Sequence, residues 1–147
     1  MGKMERGFIA GVIAAIPMNI WSFISYNLLK FTEIRFLDWA AIFLFGTLPK
    51  SGIQVAMGLV FHFLWAGFLG TIFAYIFPET NARWYVGKAV IYSLLVAFFQ
   101  YAISVLYSIP NLKILPTTTV ISNHIGGIIW GFTLGWVSKW LVGREVK

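Results

Sequence analysis

The stretch TVISNHIGGIIWGFTLGWVSKWL, Thr119 to Leu141, carries a polar cluster, a glycine row and no charged residue before Lys139. At 1.5 Å rise per residue, a helix of roughly 23 residues crosses a hydrocarbon core of about 30 Å. Gly127, Gly131 and Gly135 recur at every fourth position, a double Gly-x-x-x-Gly that lets another helix backbone come close. Just before that row stand Ser122, Asn123 and His124, polar groups that are costly in lipid unless they find a partner or line a site. The stretch therefore reads as a membrane span with a packing stripe and a polar end.

Three more apolar runs of similar length precede it: Gly7 to Leu29, Ile53 to Phe77 and Val86 to Ile109. The breaks carry turn chemistry, in Leu48-Pro49-Lys50-Ser51-Gly52, in Phe77-Pro78-Glu79-Thr80-Asn81, and from Pro110-Asn111 to Pro116-Thr117. With 59% hydrophobic and 11% charged residues, the chain has too little charge to cover a water-soluble domain, and lipid is the solvent its surface requires. No Pro, Gly or Ser linker interrupts it. The expected fold class is an all-α membrane protein: one transmembrane domain over residues 1–147, an antiparallel bundle of four transmembrane helices. The basic start Lys3, Arg6 resembles the opening of a signal peptide, but the run after it is too long and lacks an Ala-x-Ala exit, so it is read as an uncleaved anchor.

Charge sets the expected orientation. With the N-terminus inside, Lys3, Arg6, Arg83, Lys88, Lys139, Arg144 and Lys147 are cytoplasmic, and only Lys30, Arg35, Lys50 and Lys113 are outside. Trp84, Tyr85, Trp136 and Trp140 fall where an inner aromatic belt belongs. Both termini are thus expected on the cytoplasmic side. The net charge of +6 is spread singly at the ends of apolar runs, which points to anionic lipid headgroups as the partner and away from nucleic acid. Between the first two spans, Asp38 to Gly46 is too short to cross; Asp38 is read as a helix cap and Gly46 as the stop. A short interfacial helix is expected there, either as a lid over the bundle mouth or as filler at the membrane surface.

Lipid provides no hydrophobic push between helices, so small residues at four-residue spacing mark where backbones meet. The first span has Gly7, Gly11, Ala15; the second Gly58, Ala66, Gly70, Ala74; the third Ala89, Ser93, Ala97. The row on the fourth span suits packing within the chain or, alternatively, a homodimer seam. Extended along the helices, these rows reach Asn19, His62, Gln100 and Asn123, with His124 beside the last. Counted from the outer ends, Asn19, His62 and Gln100 lie about 12 to 15 Å deep and His124 about 8 Å, which predicts one polar layer in the outer half. Pro17 frees a carbonyl and bends the first span near Asn19. The layer is either interhelical glue, its members satisfying one another, or a small-ligand site.

The missing residue types narrow the chemistry. There is no cysteine, hence no thiolate nucleophile or thiolate metal site. Glu5, Glu33, Asp38, Glu79 and Glu145 all fall outside the spans, so ion-coupled transport and paired-carboxylate hydrolysis lack their usual groups. Ser122 with His124 lacks an orienting third group. His62 and His124 at comparable depth are the minimum for bis-imidazole ligation of haem b, and too few for zinc.

The order Gly7-Phe8-Ile9-Ala10-Gly11, His62, Pro78-Glu79 and Ser122-Asn123-His124-Ile125-Gly126-Gly127 resembles small bacterial inner-membrane proteins of the YagU-like kind. That resemblance implies a bacterial cytoplasmic membrane. The expected function is that of a non-enzymatic accessory or small-ligand-binding bundle, alone or with a membrane-protein partner. A passive transporter or channel for a small neutral solute is the alternative, and a haem-binding electron carrier a further one.

Overall fold

The structure, a computed structural model, describes residues 1–78 and 83–145, without the side chains of Arg144 and Glu145. Glu79, Thr80, Asn81 and Lys147, read above as turn and charge, lie outside the described residues. The described residues form helices joined by short connections: α1 (Lys3–Phe23), α2 (Phe36–Phe45), α3 (Gly52–Ile76), α4 (Tyr85–Leu106) and α5 (Thr117–Glu145). Four of these helices are long and apolar enough to cross a membrane, and α2 is a short apolar helix. This is the four-helix membrane bundle expected from the apolar runs.

Spatially the long helices form an open arc, α3 beside α1, α1 beside α5, and α5 beside α4. Among the described residues α3 and α4 have almost no backbone proximity, so the ring is not closed. The small-residue rows account for two of the three seams. At Gly11 an added Cβ would overlap the Ala66 carbonyl, and at Gly70 it would overlap that of Gly7. Only hydrogen side chains permit this approach of α1 to α3. On the other side of the arc, Gly131 and Gly135 press on α4: a Cβ at Gly131 would lie 2.7 Å from the Ala89 carbonyl. Ser93 Oγ donates to the Gly127 carbonyl in the same seam. The glycine row of α5 is thus used within the chain.

The α1–α5 seam runs on large side chains. Trp21 Nε1 donates to the Ser122 carbonyl (2.9 Å) and Trp130 Nε1 to that of Gly11 (3.1 Å). Beyond Phe23, α1 winds into a π-helical turn, Ile24–Leu28, with Leu29 N–H donating to the Ile24 carbonyl. Ser25, on that turn, shares a 2.6 Å hydrogen bond with Ser122. Ser122 is therefore engaged with α1.

Two elements depart from expectation. Asp38 is not the cap of α2, which starts at Phe36 with Arg35 as its N-cap. From the third helical position the Asp38 carboxylate reaches back to accept the Arg35 backbone N–H (2.8 Å) and pairs with the Arg35 guanidinium (2.8 Å). A residue at that position satisfies an orphan donor as well as a cap does. Arg35 lies outside the spans, and its hydrogen bond to Asp38 raises its pKa above the ordinary value, against the opposing effect of burial. Gly46 does end the helix, in the left-handed conformation (φ 73°). Secondly, Gly58 belongs to a different contact from its row: its face meets α2, where a Cβ would lie 2.6 Å from the Leu37 carbonyl. Five of the ten α2 residues, Leu37, Asp38, Trp39, Ala41 and Ile42, are buried. α2 is packed into the bundle through this buried face.

Candidate functional site

The unclosed side of the arc contains the candidate site. Where α3 approaches the N-terminal end of α4, bulky rings bridge the gap. Phe73 lies 5.3 Å from the ring centroids of both Tyr85 and Tyr92, and the Tyr92 hydroxyl donates to the Leu69 carbonyl at 2.9 Å. Beyond Leu69, toward α2, no such bridge continues. An apolar groove of about 790 Å³ opens there, walled by Trp39 and Phe43 of α2, Phe61, Leu64 and Phe68 of α3, and Phe99 and Ile103 of α4, among others. This volume falls within the ~300–1,000 Å³ typical of ligand pockets.

Behind the groove lies a smaller central cavity of about 60 Å³, with walls from all five helices, including Met18, Phe36, Ala66, Tyr101, Asn123 and Trp130. It has room for about two water molecules. Trp39, His62, Trp65, Leu69, Val96 and Gln100 form part of both walls, so the cavity adjoins the foot of the groove. Among the described residues, no Lys, Arg, Asp or Glu lines either space.

His62 holds the centre. Its ring stacks on Phe36 (5.6 Å, 19° between planes) and meets Phe63 edge-on, and it is buried. The position of Phe36 is set by the linker ahead of α2, since its N–H donates to Ser22 Oγ of α1 (3.2 Å) while Glu33 N–H donates to Thr119 Oγ1 of α5 (3.0 Å). His62 Nε2 and Trp39 Nε1 are both buried with no hydrogen-bond partner among the described residues. Leaving such a group unpaired costs about 1–3 kcal/mol, and native structures usually give it a partner.

The five residues read from the sequence as one layer divide into three groups. His62 and Gln100 share both walls, and Asn123 lines the inner cavity, where its Nδ2 donates to the Tyr101 hydroxyl (2.9 Å). His124 lies on neither wall; it stacks on Tyr101 (5.5 Å), with Nδ1 2.7 Å from the Val120 carbonyl of its own helix. Asn19 is also on neither wall. Its Nδ2 donates to the Ala15 carbonyl one turn back (2.8 Å), and its Oδ1 is buried without a partner. The polar groups do not hydrogen-bond to one another across the bundle; each found a local or aromatic partner, or none. Among the described residues, no three His, Asp or Glu side chains gather.

Sequence reasoning missed Trp39, Tyr101 and Trp65. Tyr101 carries the hydroxyl that receives Asn123 and the ring that covers His124, and Trp39 meets it edge-on at 5.2 Å. One signal was present, since Tyr101 follows Gln100 directly; for Trp39 and Trp65, aromatic residues in an apolar run carry no mark of which face they take. Comparison with protein-family models, curated proteins and solved structures finds no match to this chain.

Proposed function

We propose that this chain is a non-enzymatic membrane protein that binds a small uncharged ligand at the foot of the α3–α4 groove. The observation that carries the reading is the meeting of the two spaces at His62, Gln100 and Trp39, of which His62 and Trp39 each keep a buried ring nitrogen with no hydrogen-bond partner among the described residues. A neutral lining favours a neutral ligand, because an unpaired charge in such surroundings is expensive. A bacterial cytoplasmic membrane with both termini cytoplasmic is part of the proposal. Its support is the charge bias together with topology: Lys30, Arg35, Lys50 and Lys113 all lie in or beside the connections at the α2 end of the bundle.

The chain has no native cysteine, so single-cysteine variants report cleanly. Gln100→Cys in membrane vesicles is expected to react with the small neutral reagent N-ethylmaleimide, while Ala14→Cys, at a fully buried position, stays protected. Protection of Gln100→Cys equal to that of Ala14→Cys would reduce the layer to packing alone. With a membrane-impermeant maleimide on intact cells, Lys113→Cys is expected to label and Lys3→Cys only after lysis; the reverse order would invert the topology.

A passive route for a small neutral solute is the second reading, and the polar foot of the groove supports it. It is the weaker one, because aromatic side chains fill the bundle on one side of the cavity and α2 on the other. Solute uptake by reconstituted protein that His62→Leu abolishes would favour it. A bis-imidazole haem would need both rings on one space, and only His62 lines the groove; an absorption spectrum after haem-replete expression, with or without a Soret band, decides that reading.

A further inference from the structure

We propose that the ligand is a membrane-borne neutral amphiphile, a long apolar chain ending in a carbonyl or hydroxyl head, which enters sideways between α3 and α4. This rests on the ligand-binding reading above and adds to it the ligand class and the route.

Three observations converge. The first is access. Toward the α2 end, Ile34, Trp39 and Ile42 pack with Leu112 into a buried cluster, joined by Tyr101, Ile109 and Leu115. Toward the other end, Phe73, Tyr85 and Trp130 form a second buried cluster with Tyr92 against it. A solute arriving along the bundle axis meets packed side chains either way. The lateral side differs, because α3 and α4 are not apposed there and the groove walls Phe61, Leu64, Phe68, Phe99 and Ile103 are themselves substantially exposed on the flank of the bundle, which lipid would cover.

The second is the match of volumes to parts of one molecule. A groove of about 790 Å³ lined by Phe, Leu and Ile suits a chain, and the 60 Å³ cavity behind it suits no more than a small polar head or the water around one. The third is hydrogen-bond chemistry at the junction. Trp39 Nε1 is a donor only, Gln100 both donates and accepts, and His62 Nε2 donates or accepts according to tautomer. An oxygen that accepts, with or without a hydroxyl proton, suits the chemistry of all three once a turn of the Trp39 and His62 rings brings their closed-off nitrogens to the space; among the described residues, a carboxylate or phosphate head finds no cation on either wall.

The test uses the full chain reconstituted in dioleoylphosphatidylcholine vesicles and photolabelled with diazirine probes, the labelled peptides being mapped by mass spectrometry. The probes are a long-chain alcohol, a fatty acid of the same length, and a short water-soluble diol. The long-chain alcohol is expected to label α3 and α4 around Phe61 to Phe68 and Val96 to Ile103, competed by unlabelled long-chain alcohol. Decylubiquinone as competitor separates carbonyl from hydroxyl heads. Leu64→Trp with Ile103→Trp fills the groove and should remove the competable labelling, with helical circular dichroism retained. His62→Leu leaves the groove open and removes one hydrogen bond, for an expected loss of about tenfold in apparent affinity.

Uniform, non-competable labelling that includes lipid-facing Ile20, Ile128 and Phe132 would mean ordinary annular lipid and overturn the proposal. Equal competable labelling by the fatty acid would overturn the neutral-head assignment. If the short diol labels near His62 and Gln100, and filling the groove changes nothing, ligand binding stands while lateral entry of an amphiphile falls. No competable labelling by any probe sinks both.

Discussion

α3 presents two faces that behave oppositely. Along one, Gly67 and Gly70 let α1 come so close that a Cβ added at Gly70 would collide with backbone and one at Gly67 with the Phe8 ring. Along the other, Phe61, Leu64, Trp65 and Phe68 hold the neighbouring helix away and leave a groove. Both faces are apolar and both would be content in lipid. What separates them is side-chain size: without a hydrophobic drive between helices, association follows van der Waals contact, which small residues maximise between backbones. A bundle built this way closes where glycine permits and stays open where aromatic rings stand out. An opening so produced is available as a site at little cost to the fold.

The sharpest way to break this contrast is to put bulk into the closed face. Gly11→Leu would drive a side chain into the Ala66 carbonyl and should destabilise by about 3 kcal/mol or more, read as a lost or strongly lowered melting transition in detergent. Gly143→Leu, at a position with nothing within 4 Å, should leave the transition in place. Equal effects at the two sites would mean that close approach is not what holds α1 to α3.

A smaller effect is expected where α2 is tied down. Asp38→Ala removes both the acceptor for the Arg35 N–H and the ion pair, at a cost of about 1–2 kcal/mol by analogy with loss of a helix cap. It should also loosen Trp39 and raise the reactivity of Gln100→Cys in the same chain. Unchanged reactivity would show that α2 does not guard the foot of the groove. Trp130→Phe deletes the bond to the Gly11 carbonyl while keeping most of the ring, and should cost about 1 kcal/mol. The smallest effect belongs to the open face: Ile103→Trp, at a lipid-exposed position, is expected within about 0.5 kcal/mol of the parent in thermal stability. A large loss there would mean that α3 and α4 are more tightly coupled than their separation indicates.

Several features were legible because they rest on local pattern. Helix length and hydropathy marked the four spans, whose ends moved by a few residues: α4 stops at Leu106, three residues before its apolar run ends, as Tyr107 N–H closes on Ile103 and Ser108 takes a positive φ of 49°. Four-residue spacing marked Gly7, Gly11 and Gly70, and Gly131 and Gly135, as residues on contact faces. The polar layer was legible in part. His62, Gln100 and Asn123 were named from spacing and depth and do share cavity walls, whereas Asn19 turned its amide donor back on its own helix and His124 tucked behind Tyr101. A short polar side chain on a helix can always reach the carbonyl four residues back, and periodicity does not reveal when it does so.

By itself, then, the sequence determined that four helices are long and apolar enough to span a membrane and where each has its small-residue stripe. Those properties are additive along one helix and need no neighbour. Only the tertiary structure decided which stripe meets which, that Gly58 receives α2 while Gly70 receives α1, and that α3 and α4 remain apart with His62 at the foot of the gap. The physical reason is that lipid-facing and groove-facing side chains are equally apolar, so no hydropathy contrast tells an outer surface from the wall of a site until the helices are arranged in space.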